Sequence, residues 1–227
     1  MSSRQPLSRE QMATRVAMEL DDGFYVNLGI GMPMLVATHI PKGRTVYFQS
    51  ENGVLGCGPH AKPGEEDMDL SNAGDENITV IPGASFFDSG TSFDMIRGGH
   101  LDVTVLGGFQ VSKGGDLANW KLPLRKVGSF GGAMDLATGA KKVIVLMQHV
   151  TKEGQARIVD QCSYPLTCKA CVDMVVTDLA VIDVTPGGLV LREVAPGWTP
   201  KDVQGLTEPR LIVDNVKPYK LHSQPQP

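Results

Sequence analysis

One acidic residue of the sequence lies in a setting that suits acyl transfer. Glu51 belongs to the tetrapeptide S-E-N-G at residues 50–53, shortly after the apolar run at residues 45–48. Glycine pairs follow at residues 107–108 and 131–132. Adjacent glycines leave backbone N–H groups uncovered, and such groups can stabilise the oxyanion that forms when a carboxylate attacks a carbonyl carbon. Taken singly, each feature is more typical of a capped loop or a tight turn, so the hypothesis depends on their combination.

The elements that would position these residues follow an α/β pattern. Short apolar runs rich in β-branched residues alternate with helical or glycine-rich segments, which is typical of buried parallel strands. We therefore predict an α/β fold with an open, mostly parallel sheet flanked by helices. In such sheets ligands bind at the carboxyl ends of the strands, where Glu51 lies. The predicted strands are 24–28, 45–48, 78–81, 103–106, 143–147, 174–176, 181–184 and 189–191, and the last three are expected to form hairpins at one edge.

Helix signals are clearest near the N-terminus. Ser8 and Gln11 fit a capping box, the apolar residues that follow share one helix face, and Gly23 is a natural stop. Other expected segments are a second helix from Pro33 to His39, a helical stretch at 167–174 and a surface loop at 56–77.

Composition limits the class of protein. The chain has 227 residues, a net charge of −4 and 41% hydrophobic residues, which favours one globular domain at 1–227 with flexible termini near 1–7 and 215–227. The acidic balance and the 6% aromatic content argue against a nucleic-acid partner. No apolar run approaches the ~18 residues of a membrane span and no signal-peptide pattern is visible, so we expect no membrane association and a cytoplasmic location.

Two other patterns indicate different chemistry, but weakly. Cys168 and Cys171 form a C-x-x-C pair without the second ligand pair that a zinc site needs, so we interpret them as buried or incidental thiols. Gly29 and Gly31 fit the start of a dinucleotide-binding turn, but Met34 occupies the position of its third glycine. The residues therefore predict no metal site, and a nicotinamide-dependent oxidoreductase is a less favoured alternative.

The tetrapeptide at 50–53 resembles the S-E-N-G motif of family I coenzyme A transferases, the 3-oxoacid CoA-transferase type. The resemblance covers residues 8–184, which is most of the chain, and it implies an open α/β sheet flanked by helices. The further motifs that carry it are N-L-G-I-G-M-P at 27–33, L-S-N-A-G at 70–74, S-F-D-M-I-R-G-G-H at 92–100, G-G-D-L-A-N-W at 114–120 and G-G-A-M-D-L at 131–136.

The resemblance implies roles for individual residues. Glu51 would be the nucleophile, the backbone N–H of Gly132 would stabilise the oxyanion, and Asn27 would position Glu51 or the acyl group. A glutamate is ionised at neutral pH, so Glu51 would need no adjacent base. Coenzyme A would act as a substrate and form a covalent glutamyl-CoA thioester, with no cofactor and no metal. The residues expected in the substrate and CoA site are Gly29, Gly31, Asn52, Gly53, Gly131 and Ala133.

The chain is most similar to the B, or beta, half of these CoA-transferases, which implies a separate A half on another chain and a heterotetramer. The implied reaction moves CoA from an acyl-CoA, with succinyl-CoA as the expected donor, to acetoacetate or 3-oxoadipate. Lys121, Arg125 and Lys126 would suit a second carboxylate on the substrate or would form an exposed basic loop. An acyl-CoA hydrolase that uses the same glutamate, or a non-catalytic regulatory subunit, is also left open.

Overall fold

The computed structural model describes residues 4–123, 126–128 and 131–221. Within these ranges the helices are α1 (Arg9–Ala17), α2 (Ser89–Arg97), α3 (Ala133–Gly139), α4 (Pro200–Gly205) and a 3₁₀ helix (Met32–His39). The strands are β1 (Tyr25–Leu28), β2 (Tyr47–Ser50), β3 (Val54–His60), β4 (Ile78–Phe86), β5 (Val103–Leu106), β6 (Gln110–Ser112), β7 (Leu117–Ala118), β8 (Val143–Leu146), β9 (Ile158–Val159), β10 (Met174–Val176), β11 (Ala180–Thr185), β12 (Gly188–Val194), β13 (Leu211–Ile212) and β14 (Lys217–Pro218).

A large mixed sheet organises the chain, with the strand order β13-β12-β11-β10-β8-β5-β1-β2-β3-β4 and with β14 also paired to β12. The five central strands β10, β8, β5, β1 and β2 are parallel. Antiparallel pairs extend the sheet on both sides, from β2 through β4 and from β10 through β12. Strands β6, β7 and β9 form a separate small sheet. The predicted mostly parallel α/β architecture and the hairpins formed by the last strands are confirmed.

Both faces of the central strands β5, β8 and β10 are buried, which explains why β8 and β10 consist of apolar residues alone. Val143 and Val145 of β8 pack with α2 and α3, whereas Ile144 and Leu146 pack with α1 and the 3₁₀ helix. This alternation follows from the two-residue repeat of a strand. Helices thus cover the parallel strands on both sides. The carboxyl ends of these strands are not covered by the helices and are followed by loops.

The N-terminal helix begins as predicted but ends early. Ser8 accepts a hydrogen bond from the backbone of Gln11, whose side chain accepts one from the Ser8 N–H, so the capping box is confirmed. The helix ends at Ala17 rather than near Gly23, and Gly23 instead allows a left-handed turn before β1. Arg15 anchors the helix to β12 because its guanidinium donates two hydrogen bonds, of 2.8 and 3.0 Å, to the Glu193 carboxylate.

The second predicted helix, from Pro33 to His39, is present as a 3₁₀ helix over Met32–His39. The predicted surface loop at 56–77 is wrong over its first part, because β3 continues through His60 and pairs with β4. That prediction rested on the polar composition of the stretch, with Pro59, Pro63, Gly64 and the acids at 65–69. In the structure Gly56 and Gly58 permit close strand packing: a Cβ on Gly58 would lie 2.5 Å from the Thr79 hydroxyl, and one on Gly56 would lie 3.1 Å from the Ala84 Cα.

The helix predicted at 167–174 is wrong. This segment is irregular until β10 begins, and its backbone N–H groups bond to residues 115–117 instead of bonding four residues back. Cys171 donates its N–H to the Gly115 carbonyl at 3.0 Å, and Thr167 donates to Leu117 at 2.7 Å. Cys168 and Cys171 are half-buried free thiols, and burial raises the pKa of Cys171.

Parts of the termini that were expected to be flexible pack against the sheet. Leu7 donates its N–H to Asp178 at 2.9 Å. Near the other end β14 pairs with β12, and the buried Tyr219 donates its hydroxyl to the Thr177 carbonyl at 3.2 Å. Residues 1–3 and 222–227 lie outside the described ranges. Among the helices described, none combines the length and the apolar character that crossing a membrane requires.

A buried histidine gives the fold a testable pH dependence. His149 is fully buried, and its ring nitrogens lie 2.9 Å from the hydroxyls of Thr177 and Thr207. Burial lowers the pKa of His149 from 6.5 to about 4, so between these values the unfolded chain binds a proton that the folded chain does not. The stability contribution is complete above pH ~6.5 and decreases as the pH falls towards ~4, by about 2 kcal/mol at pH ~5. Urea unfolding at pH ~7 and ~5 measures this loss.

The matched comparison is His149→Gln, which cannot take up a proton. We expect the difference between the two unfolding free energies to be smaller in this variant than in the unmodified chain by about 2 kcal/mol. The same pH dependence in both proteins would contradict the assignment of this loss to His149.

Candidate active site

The candidate site lies where three adjacent parallel strands end. Strands β2, β1 and β5 run side by side, with Asn27 of β1 in register with Gln49 of β2 and Thr104 of β5. Because the three strands end at one edge, Gly29, Glu51 and Gly107 come together there. All three line one cavity of about 1210 Å³, which extends beneath the 3₁₀ helix.

Glu51 faces the backbone of Gly132 across this cavity. The Gly132 backbone N–H lies near the Glu51 carboxylate and favours its charged form. A Cβ on Gly132 would overlap the Glu51 Oε2 and would lie 2.8 Å from the Cδ, so only glycine fits at this position. Gly132 caps α3, which is fixed by buried Leu136 and by the 2.7 Å ion pair between Arg97 and Asp135. The structure therefore brings together the acid and the backbone donor that the sequence pointed to.

The electrostatic environment of Glu51 favours its neutral form. Burial raises the pKa of the Glu51 carboxyl, the Gly132 N–H acts in the opposite direction, and the nearby Asp135 raises it further. The ionised carboxylate is thus held with fewer water contacts than it would have on an open surface. A carboxylate that is poorly solvated and fixed beside a hydrogen-bond donor is suited to attack on a carbonyl carbon.

Asn27 is held by a chain of buried polar side chains beside the cavity. Its Nδ2 donates to the Gln49 backbone carbonyl at 3.1 Å and to Gln49 Oε1 at 2.6 Å, while Gln49 Nε2 donates to Ser92 Oγ at 2.6 Å. These bonds fix the orientation of the Asn27 amide. Asn27 Oδ1 and the hydroxyl of Thr104 are buried without a hydrogen-bond partner among the described residues. Sequence reasoning missed Gln49, although a polar residue inside an apolar strand was a visible signal.

Three more of the predicted site residues line the cavity. Gly29, which follows β1, donates its N–H to the Val105 carbonyl at 2.8 Å, and a Cβ on it would lie 3.2 Å from that oxygen. Gly131 and Ala133 flank the donor residue Gly132. These positions fit the expected substrate site by location, and their roles stay predictions.

Three others lie outside the cavity lining and serve the local fold. Gly31 has a φ of +87° and precedes the 3₁₀ helix. Asn52 is exposed, and its side chain donates to the Ser71 carbonyl at 2.8 Å. Gly53 has a φ of +121°, and a Cβ there would overlap the Phe87 carbonyl oxygen. This geometry explains the glycine at 53 through the turn between β2 and β3 rather than through contact with a ligand.

Lys121 and Lys126, two of the basic residues expected to contact a substrate carboxylate, are not among the described residues that line the cavity. Lys121 lies with its Nζ 6.0 Å from the centre of the Trp120 ring, Lys126 is exposed, and Arg125 falls outside the described residues. A different cation, Arg157, lines the cavity. No motif in the sequence marked Arg157, because it comes from the irregular segment before β9.

The described part of the chain contains no group of three or more His, Cys, Asp or Glu side chains arranged to hold a metal ion. The chemistry that the described residues can perform at this edge is that of a carboxylate, backbone N–H groups and side-chain amides. An open α/β sheet with a half-buried carboxylate beside a glycine N–H at the strand ends is an arrangement suited to acyl transfer.

Comparison with known proteins agrees with this class. The family model described as coenzyme A transferase matches residues 9–205. The B subunit of a probable succinyl-CoA:3-ketoacid coenzyme A transferase from Bacillus subtilis (strain 168) is 52% identical over 201 residues, covering 88% of this chain and 93% of that protein. The B subunit of a 3-oxoadipate CoA-transferase from Pseudomonas putida is 50% identical over 213 residues, covering 93% of this chain and all of that protein.

The solved structure of an acyl-CoA transferase from Escherichia coli O157:H7 has the same fold, with a TM-score of 0.76 at 21% identity. That match covers 97% of this chain and 45% of the other, so this chain spans about half the length of that protein. The chain belongs to the coenzyme A transferase family, as the motifs around Glu51 and Gly132 indicated.

The environment of Glu51 predicts that the site reduces stability. Because burial raises the pKa of Glu51 in the folded state, ionised Glu51 opposes folding at pH values above that pKa. Glu51→Gln removes the charge and can keep the bond from Gly132. We therefore expect this variant to melt at a higher temperature than the unmodified chain at neutral pH, and the difference to shrink as the pH falls below the unfolded pKa of glutamate, ~4.3.

The control is Glu65→Gln, which neutralises an exposed glutamate in the loop before β4. This surface change should alter stability by less than about 0.5 kcal/mol. Differential scanning calorimetry of the three proteins, at neutral pH and at a pH below ~4.3, measures the differences in melting temperature. A Glu51→Gln variant that melts below the unmodified chain at neutral pH would show that the carboxylate stabilises the fold.

Proposed function

We propose that this chain is the catalytic B subunit of a 3-oxoacid CoA-transferase. It moves CoA from an acyl-CoA, with succinyl-CoA as the donor, to a 3-oxoacid through a glutamyl-CoA thioester. The observation that supports this proposal best is the Glu51 carboxylate placed against the Gly132 N–H inside a large cavity. The printed names of the relatives at 50% and 52% identity are consistent with it.

The proposed reaction begins when a Glu51 carboxylate oxygen attacks the thioester carbonyl carbon of the donor. The Gly132 N–H is placed to donate to the oxyanion that develops. Breaking the C–S bond releases CoA as a thiolate and leaves a mixed anhydride between Glu51 and the donor acid. The thiolate then attacks the Glu51 carbonyl carbon, which releases the donor acid as a carboxylate and forms the glutamyl-CoA thioester. The acceptor carboxylate repeats these steps in reverse order and leaves as acyl-CoA.

A carboxylate nucleophile has a thermodynamic advantage in this reaction. An ester on a serine would lose much of the free energy of the thioester, whereas a thioester on Glu51 keeps it because donor, enzyme and acceptor are all carboxylic acids. The anhydride is sensitive to water, so the site must exclude solvent while it exists. The close contact of the Glu51 carboxylate with Gly132, where a Cβ would overlap Oε2, leaves no room for a water molecule between the carboxylate and the Gly132 Cα.

We further propose that the A subunit of the CoA-transferase, carried on another chain, completes the site. Both relatives at 50% and 52% identity are named as B subunits, which supports a partner chain. In the proposed enzyme the two kinds of polypeptide form a heterotetramer in the cytoplasm.

The first test is the mass of the intact chain, purified with its A partner, after addition of succinyl-CoA or acetoacetyl-CoA. We expect an increase equal to CoA minus water, mapped to Glu51 by peptide mass spectrometry. Glu51→Gln has no carboxylate nucleophile and should show no increase. A folded, assembled complex that gives no adduct with either donor would refute the covalent mechanism.

Product analysis distinguishes the alternatives. A transferase forms a new acyl-CoA when an acceptor acid is added, whereas a hydrolase releases free CoA whether or not an acceptor is present. A non-catalytic regulatory role predicts full activity of the complex that contains Glu51→Gln.

The contact between Glu51 and Gly132 gives a second prediction. In Gly132→Ala the methyl group occupies the position of the carboxylate, so Glu51 must move away from the N–H donor. Loss of an oxyanion donor typically reduces kcat by about 100- to 1000-fold, and we expect a reduction of this order. Steady-state kinetics of the assembled complex measures it. The control Gly205→Ala adds a methyl group at the end of α4, where nothing lies within 4 Å, and should retain activity.

A further inference from the structure

The charges that line the cavity are unequal. Glu51 is the single carboxylate among its described lining residues, whereas three arginines contribute to it. Arg44 lies before the start of β2, at the end away from Glu51, and donates to the carbonyls of Met18 and Leu20. Arg9 lies at the start of α1, which packs against the 3₁₀ helix. Arg157 is therefore the arginine on the side of the cavity where the strands end.

Arg157 is fixed through its backbone. Its N–H donates to the His149 carbonyl at 3.1 Å, and its carbonyl accepts from the Val111 N–H at 2.9 Å. The residue directly precedes β9, so the small sheet holds it in place. The side chain approaches the end of β5, where its Nη1 lies 3.5 Å from the Gly108 carbonyl oxygen. That distance is long for a hydrogen bond, so the contact holds the guanidinium weakly.

Among the described residues, the Arg157 guanidinium has no carboxylate in direct contact. Within the ranges that the structure describes, the ion pairs with N–O distances up to 4.0 Å do not include Arg157. Burial raises the pKa of Asp178 and the charge of Arg157 only partly opposes this, while the pKa of Glu153 is lowered mainly by the Thr151 hydroxyl and least by Arg157; neither carboxylate is close enough for such a pair. The donors of a half-buried arginine thus remain available to a ligand in the cavity.

The separation between Arg157 and Glu51 suits a short dicarboxylate. Gly108 follows β5, Glu51 follows β2, and β1 lies between these two strands. Two strand spacings amount to about 10 Å. Arg157 and Glu51 both line the same cavity. An acyl group bound at Glu51 and bearing a second carboxylate can therefore extend past Gly29 towards Arg157.

We propose that Arg157 binds the distal carboxylate of a dicarboxylic acyl group, so that this chain selects succinyl-CoA and a 3-oxo dicarboxylic acid over monocarboxylic substrates. The inference rests on the proposed function and assigns its substrate class. A guanidinium can donate two parallel hydrogen bonds to a carboxylate, which combines charge with orientation. Arg157 contacts the substrate at the end remote from the reaction, so its effect depends on the presence of the second carboxylate.

The test compares two donors in the half-reaction that forms the Glu51 adduct, using the complex assembled with the A partner. Succinyl-CoA carries a distal carboxylate and acetoacetyl-CoA does not. For Arg157→Gln we expect adduct formation from succinyl-CoA to slow by about 30-fold, as for the loss of a hydrogen bond to a charged group. With acetoacetyl-CoA the rate should stay within about threefold. Arg157→Lys keeps the charge without the planar fork and should give an intermediate loss with succinyl-CoA alone.

The matched control is Lys152→Gln, which removes one positive charge from an exposed residue of the same loop. It should change neither rate by more than about twofold. Equal slowing with both donors in Arg157→Gln, or no slowing with succinyl-CoA, would overturn the assignment. If the unmodified complex forms no adduct with either donor, the proposed function itself fails. That result is distinguishable from the two outcomes for Arg157→Gln that overturn only the assignment of Arg157. Melting curves of each variant establish that the compared complexes are folded.

Discussion

The contact between the Gly132 backbone and the Glu51 carboxylate is the constraint on which the site depends. It requires a glycine at 132, because a Cβ would occupy the place of the carboxylate. It also requires two parts of the chain that are distant in sequence to be placed accurately against each other. Strand β2 delivers Glu51, and the start of α3 delivers Gly132, while Arg97 and Asp135 join α2 to α3. The parallel sheet provides this accuracy because both of its faces are buried.

The same arrangement opposes the stability of the site. Glu51 is held where burial raises its pKa, and Asn27 Oδ1 is buried without a partner among the described residues. Unsatisfied or poorly solvated polar groups cost free energy, and they concentrate where a protein binds or transforms a ligand. The compensating interactions lie elsewhere, in the apolar packing on both faces of the sheet and in the buried pair of Arg15 with Glu193. The polar groups that cost stability thus lie at the strand ends, whereas the interactions that stabilise the fold lie on the two faces of the sheet.

Local sequence signals predicted the elements whose own residues define them. The capping box at Ser8 and the apolar runs of the central strands are examples, and the S-E-N-G tetrapeptide located Glu51. The errors arose where distant residues decide the conformation. The polar stretch at 56–77 indicated a loop, but Gly58 fits within β3 because Thr79 of the neighbouring strand leaves no space for a side chain. The segment at 167–174 has helical spacing, yet residues 115–117 accept its N–H groups. Arg157 carried no signal, since its place in the cavity follows from the packing of the small sheet.

In the proposed enzyme, chemistry and selectivity come from separate structural units. Glu51 and its donor belong to the large parallel sheet and to α3, whereas Arg157 belongs to the segment before β9 of the small sheet. A substitution at 157 can therefore change which acid is accepted without moving β2 or α3. A change near Glu51 has no such freedom, because Gly29, Gly53 and Gly132 already sit at or within contact distance of neighbouring atoms. If Arg157 selects the acyl group as proposed, substrate preference can change at residue 157 while the Glu51 arrangement is kept.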